Sequence, residues 1–329
     1  MLRCACYGYL RQMVRLFLGN RPGVLLLLPF IIATYALLNL KTGYYGQEDT
    51  TNLGVWGEAV IVYPVFLSIS AAVLVFINAV AINWIYNSNE FLERNSYMPA
   101  LLYVVLMSFY HSFYSIDGLL ITHTLMILMM HQLFHLNQHE DGRRNVFNGM
   151  FFAGAAATFH PPLIAMFPIL CFMIWVIRPF ILREFMLAIL GFCAPLIYGG
   201  IFMWMSGHGI ELKLLEQITD YTNKQTDFLV TAVLFTLLFL LSLLSLRSRM
   251  QKSTMRLRKL SVILRWYIFM ALILGSIDFF LFRQIERFSF VMIPLAVFLP
   301  FAFINKTFGY VGNLLFYITL TYSVAKFFL

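Results

Sequence analysis

Charge is what this chain has least of. Only 12% of its 329 residues are Asp, Glu, Lys or Arg, against 61% hydrophobic ones. A soluble domain carries about a quarter of its residues charged to keep its surface in water, so that class is excluded. Cysteine is scarce as well: Cys4 and Cys6 precede the first apolar run, and Cys171 and Cys193 lie inside later ones. Neither arrangement makes a disulfide framework or a ligand set with metal-site spacing, so no metal is expected. No P-loop, G-x-S-x-G, H-E-x-x-H or dinucleotide fingerprint occurs, so nothing indicates an internal ATPase or names a cofactor. Internal repeats and low-complexity linkers are missing too, and residues 1–329 read as one integral membrane domain.

What the chain does have is long apolar runs. They fall at 23–40, 59–86, 97–114, 118–136, 146–159, 161–177, 185–205, 228–246, 265–282, 288–305 and 307–328. Crossing hydrocarbon takes about 20 apolar residues per helix. Helix is required because lipid satisfies no backbone amide, and these continuous runs lack the alternation of barrel strands. The sequence therefore predicts an all-α, polytopic helical bundle of about eleven transmembrane helices. Residues 146–159 are short for a crossing and end at His160-Pro161-Pro162. Were the 146–177 pair a re-entrant hairpin, the count would fall to about nine with the parity unchanged.

The few charges are placed unevenly. Of 23 Lys and Arg residues, 17 lie in alternate gaps between runs and 6 in the others. The most basic gap, 247–265, holds Arg247, Arg249, Lys252, Arg256, Arg258, Lys259 and Arg265. Basic residues are retained on the cytoplasmic side, which predicts an N-in/C-out chain in the inner (plasma) membrane. The run at 23–40 begins too far from the start for a signal peptide and reads as an uncleaved anchor. The net charge of +8 is then an orientation signal that also touches anionic lipid, and nucleic acid is not an expected partner. Between residues 206 and 227, Ile210, Leu214, Leu215 and Ile218 recur at helical spacing, predicting an amphipathic helix in an outer loop.

Several short motifs carry a resemblance. Arg94-Asn95-Ser96-Tyr97-Met98-Pro99, Phe147-Asn148-Gly149, Arg178-Pro179-Phe180 with Arg183-Glu184, and Gly191 with Pro195 resemble an uncharacterised family of polytopic inner-membrane proteins from Bacteroidota. The resemblance covers residues 20–200 and implies an inner-membrane location without an activity. The same residues suit helix ends: Arg178 and Arg183 can reach headgroups, and Pro99 fits a first helical turn.

Polar side chains gather at the opposite, outer end. Glu48 and Asp49 follow the first run; His111 and Asp117 end the third; His123 begins the fourth; His160 sits at the hairpin; Asp278, Arg283, Glu286 and Arg287 bracket the turn after 282. Ionisable groups at membrane depth are costly, which makes Asp278 a functional candidate. Asp278 and Arg283 are five residues apart, about 140° round a helix, so Asp278 is expected to find its partner elsewhere. Arg283 and Arg287 suit a phosphate or pyrophosphate, although both also suit headgroup anchoring. An acidic pair in a first outer loop resembles membrane glycosyltransferases that use polyprenyl-phosphate sugars. That resemblance implies Glu48 or Asp49 as base, with Arg283 and Arg287 holding the phosphate; by their place in the outer polar cluster, Asp278 is a further catalytic candidate and His160 and His111 are candidates for the substrate. A second constellation, His131, His135 and His139 at i, i+4 and i+8, places two imidazoles on one helix face, where they would suit a shared cation or merely an interface.

Three functions stay open on this reading: a glycosyltransferase-like enzyme on a lipid-linked envelope precursor at the periplasmic face, a transporter or flippase, and a non-catalytic subunit of an envelope complex. The partners they imply are membrane lipids, a polyprenyl-phosphate-linked substrate and other inner-membrane subunits. The orientation is directly testable. A reporter active only outside the cytoplasm is expected to work when fused at Gly207 or after Leu329 and to be silent at Ser253; the reverse pattern would invert the topology.

Overall fold

A computed structural model describes residues 13–46, 50–60, 64–136, 141–178, 181–206, 225–250, 255–282, 285–304 and 309–328. After a helical stretch at 13–18 and a 3-10 turn begun by Pro22, α1 (Leu27–Thr42) leads to a short hairpin, β1 (Thr50–Asn52) and β2 (Glu58–Val60). Then come α2 (Pro64–Ser88), α3 (Met98–Met107), α4 (Gly118–His135), α5 (Arg143–Phe159), α6 (Phe167–Ile177) and α7 (Leu182–Met205). The last are α8 (Gln225–Met250), α9 (Met255–Phe282), α10 (Met292–Phe298), α11 (Pro300–Ile304) and α12 (Gly309–Ala325). Among the described residues, seven helical segments are long and apolar enough to cross a membrane. The chain is an all-α, multi-pass membrane protein.

Burial sorts these segments into shells. Of the most apolar 18-residue window in Glu286–Ile304, 89% is buried, against 28% of the windows in Pro22–Thr42 and in α7. The outer helices turn large apolar groups away from the protein, among them Phe30, Phe66, Tyr198 and Phe280. Such exposure would be a liability in water and is what a lipid-facing helix requires. At the centre, every residue of α3 is buried, and α1, α2, α10 and α12 pack around it.

Two of the sequence-derived spans are corrected. The run at 97–114 is helical only to Met107, followed by a 3-10 turn at His111–Phe113. Helix α3 stops early because other chain segments take up its terminal carbonyl. Ser108 O accepts from the Tyr114 hydroxyl at 2.7 Å and from the Lys326 ammonium, which also donates to the Tyr45 hydroxyl at 3.0 Å. The Phe109, Tyr45 and Phe327 rings stand 4.6, 4.8 and 5.0 Å from that ammonium. A cation at a helix C-terminus opposes the negative end of the macrodipole, and ring faces lessen its desolvation. The run at 59–86 starts with strand, and its helix begins only at Pro64, since the residue before a proline is pushed away from the helical region. The basic stretch 247–265 is mostly helix: α8 runs to Met250 and α9 starts at Met255. The amphipathic helix expected within 206–227 lies largely outside the described residues.

Glycines set the crossing of α5 and α7. A Cβ on Gly191 would lie 2.6 Å from the Phe147 carbonyl oxygen, one on Gly154 would overlap that of Phe192, and one on Gly199 would lie 3.3 Å from the Thr158 side chain. Backbones approach this closely only where side chains are missing. The pairings run in the same order along both helices, so α5 and α7 are parallel where they meet.

The hairpin lies across the end of this group. Gly54, at φ +68°, abuts the Thr158 and Phe159 carbonyls, and the Trp56 indole donates to Thr158 Oγ1 at 3.1 Å. The crossing makes a paired prediction. Gly154→Ala is expected to cost roughly 1–3 kcal/mol, lowering abundance and melting temperature. Gly200→Ala, on the same helix pair with nothing within 4 Å of its Cβ, is expected to be neutral or slightly stabilising; equal behaviour of the two would remove the packing argument.

Candidate functional site

The hairpin end also gathers a buried polar cluster, and local chain chemistry explains each member's position. Asp117 caps α4: one carboxylate oxygen accepts the Leu120 N–H at 2.7 Å and the other the Ser112 hydroxyl at 2.8 Å. This satisfies an orphan donor of the first turn and ties the 3-10 turn at His111–Phe113 to α4. The Glu286 carboxylate takes the His111 N–H at 3.0 and 3.2 Å, joining that turn to the 3-10 turn Glu286–Val291. Phe288 from this second turn seats against Gly275 of α9, while its neighbours Arg287 and Ser289 are buried.

Deeper in, His123 is engaged on both ring nitrogens. Nδ1 meets the Tyr103 hydroxyl at 3.3 Å and Nε2 meets Ser289 Oγ at 3.0 Å. Tyr103 extends the row to the Asn78 amide at 3.5 Å. The His123 ring stacks on Phe290 at 4.9 Å, and the His160 ring lies 5.6 Å from the same phenyl group.

His160 closes α5, its N–H donating to Ala156 O at 2.9 Å, and Pro161 then starts a 3-10 turn. Its Nε2 is buried with no hydrogen-bond partner among the described residues. Arg287 and His123 are its electrostatic neighbours. A guanidinium near an unpaired imidazole nitrogen, with apolar walls, can receive an anionic oxygen.

Of the sequence-derived candidates, the structure brings His111, His160 and Arg287 to one cluster. Glu48, Asp49 and Arg283 lie outside the described residues, and Asp278 falls within α9 with its side chain outside them. Comparison with family models, with curated proteins and with solved structures found no match to this chain. The cluster therefore rests on its own chemistry.

Sequence reasoning passed over Ser289, Tyr103 and Lys326. A serine or tyrosine in an apolar run carries no signal of its own, and Lys326 beside Phe327-Phe328-Leu329 reads as an interface anchor. The buried row predicts coupled energetics. His123→Phe leaves the Tyr103 and Ser289 hydroxyls without their partner, about 1–3 kcal/mol for a stranded buried group. Adding Tyr103→Phe is expected to cost clearly less than the two single changes together, by at least about 0.5 kcal/mol in a thermal-unfolding cycle; strict additivity would mean that the two side chains do not interact.

Proposed function

We propose that this membrane protein handles a lipid-linked envelope precursor at the outer face of the inner membrane, in the manner of a polyprenyl-phosphate-sugar-dependent glycosyltransferase. One observation carries the reading: Arg287 and His160 are both buried, and Arg287 is an electrostatic neighbour of His160. Hydrocarbon penalises a cationic side chain at such a place unless an anion or a polar network receives it. The charge asymmetry of the sequence makes the hairpin end the outer one.

In this reading the phosphate lies against Arg287 and His160, with Arg283 as a second guanidinium. His111 contributes to the wall of the substrate site through its tie to Glu286. Glu48 or Asp49 takes the acceptor proton, since both directly precede the hairpin that covers this end. Asp278 is the third candidate carboxylate. Proton removal by a carboxylate and stabilisation of the departing phosphate by cations are the two requirements of such a transfer.

A second reading, a non-catalytic subunit of an envelope complex, is favoured by the saturation of the cluster's interior. His123 uses both nitrogens and Glu286 is spent on backbone, as in an interaction that holds helices together. Transport has less support, because the charged groups sit at one end whereas alternating access wants a site near the midplane.

The readings part experimentally. The purified full chain is expected to gain thermal stability from a polyprenyl phosphate and none from the matching polyprenol. Arg287→Gln is expected to weaken that binding about tenfold or more, equivalent to about 1.4 kcal/mol. Asp49→Asn with Glu48→Gln is expected to leave binding and abundance intact while reproducing the envelope defect of a deletion. Indifference to the phosphate, or full complementation by the carboxylate variant, leaves the subunit reading standing.

A further inference from the structure

At the opposite end of α4 the structure holds a second pair of imidazoles that the outer cluster does not use. His131 and His135 are four residues apart in the last turns of this helix, which stacks them about 6 Å apart along the axis. Their ring centres are 4.3 Å apart with the planes at 90°. Both residues are partly exposed, and His131 Nδ1 has no hydrogen-bond partner among the described residues. The indole of Trp84 lies 4.6 Å from the His131 ring. The rings meet edge to face, and protonating both would set two like charges side by side.

We propose that His131 and His135 form a two-nitrogen chelate for a divalent transition-metal ion of the Cu2+ or Ni2+ class. Imidazole is a preferred ligand of these ions, and spacing i, i+4 on a helix presents two rings to one point. The separation selects among metals. With metal–nitrogen bonds of about 2.0–2.1 Å, an ion lies about 3.2 Å from each ring centre, so a tetrahedral pair of rings stands about 5.2 Å apart and a right-angled pair about 4.5 Å. The observed 4.3 Å is closer to the right-angled arrangement, which square-planar and octahedral ions use.

Among the described residues no third imidazole, thiol or carboxylate joins the pair. Both ligands belong to one helix, so the ion fastens the last turn of α4 without cross-linking helices. This site is independent of the outer cluster and of the function proposed for it.

Trp84 makes the site readable. The full chain, purified in detergent without a histidine tag, is titrated with nickel chloride while tryptophan emission is followed. A paramagnetic ion held by His131 quenches the neighbouring indole, so a saturable loss of emission that EDTA reverses is expected. His131→Gln and His135→Gln are each expected to raise the half-saturation concentration about tenfold or more, and Trp84→Phe to remove the quench while equilibrium dialysis still shows bound nickel. Changing Cys4 and Cys6 together to serine is expected to leave the titration unaltered. Absence of a saturable quench in the unaltered chain overturns the proposal. So does an unchanged half-saturation in the His131→Gln/His135→Gln double variant, or loss of the site on removing the two thiols.

Discussion

Hydrocarbon offers no hydrogen bond, and the rest of this structure depends on that constraint. A polar group that the chain carries into the bundle is costly unless another group of the same chain receives it. Helix satisfies the backbone along each segment, but helix ends inside a protein expose carbonyls and amides that side chains must receive. The end of α3 shows how: the Tyr114 phenol, from the turn that follows, and the Lys326 ammonium, from far along the sequence, converge on the Ser108 carbonyl. The Asp117 carboxylate does the same for the start of α4, and that of Glu286 for the turn at His111.

These contacts explain why the centre is built from short, broken helices while the periphery is built from long ones. A peripheral helix needs only lipid and one neighbour, so α1, α2, α7 and α8 stay continuous. The central segments α3 and Glu286–Ile304 are surrounded on all sides, and Pro294 and Pro300 divide the second into pieces. Their ends fall inside the bundle, where turns bring polar side chains with them. The buried row Asn78–Tyr103–His123–Ser289 joins α2, α3, α4 and the 286–291 turn by side-chain hydrogen bonds. A chain of hydrogen-bonded side chains in a dry interior specifies one arrangement of helices more sharply than apolar packing does, because each displaced partner strands a buried group.

Where helices meet without polar contacts, close approach of backbones takes over. Burial from water gives no drive between helices in lipid, so contact depends on how near two surfaces come. The stripe Gly191 and Gly199 on α7, facing Gly154 on α5, provides that nearness. It also aligns α5 with α7 so that His160 reaches the hairpin end as an electrostatic neighbour of Arg287. Packing at the glycines and assembly of the candidate site are therefore linked: the crossing decides how far along the bundle His160 is carried.

By itself the sequence determined the class, the helical form and the end of the molecule at which His111, His160 and Arg287 would lie. Each follows from apolar run length and from the parity of the gaps, which are properties of single segments in a bilayer. Tertiary structure alone decided that α3 would stop at Met107, that Lys326 would be enclosed by aromatic rings, and that His123 and His160 would meet the same Phe290 ring. Those outcomes depend on which helices become neighbours. The apolar residues that carry the sequence signal are alike on every face of a lipid-embedded helix, so the run that predicts a crossing says nothing about which side meets protein.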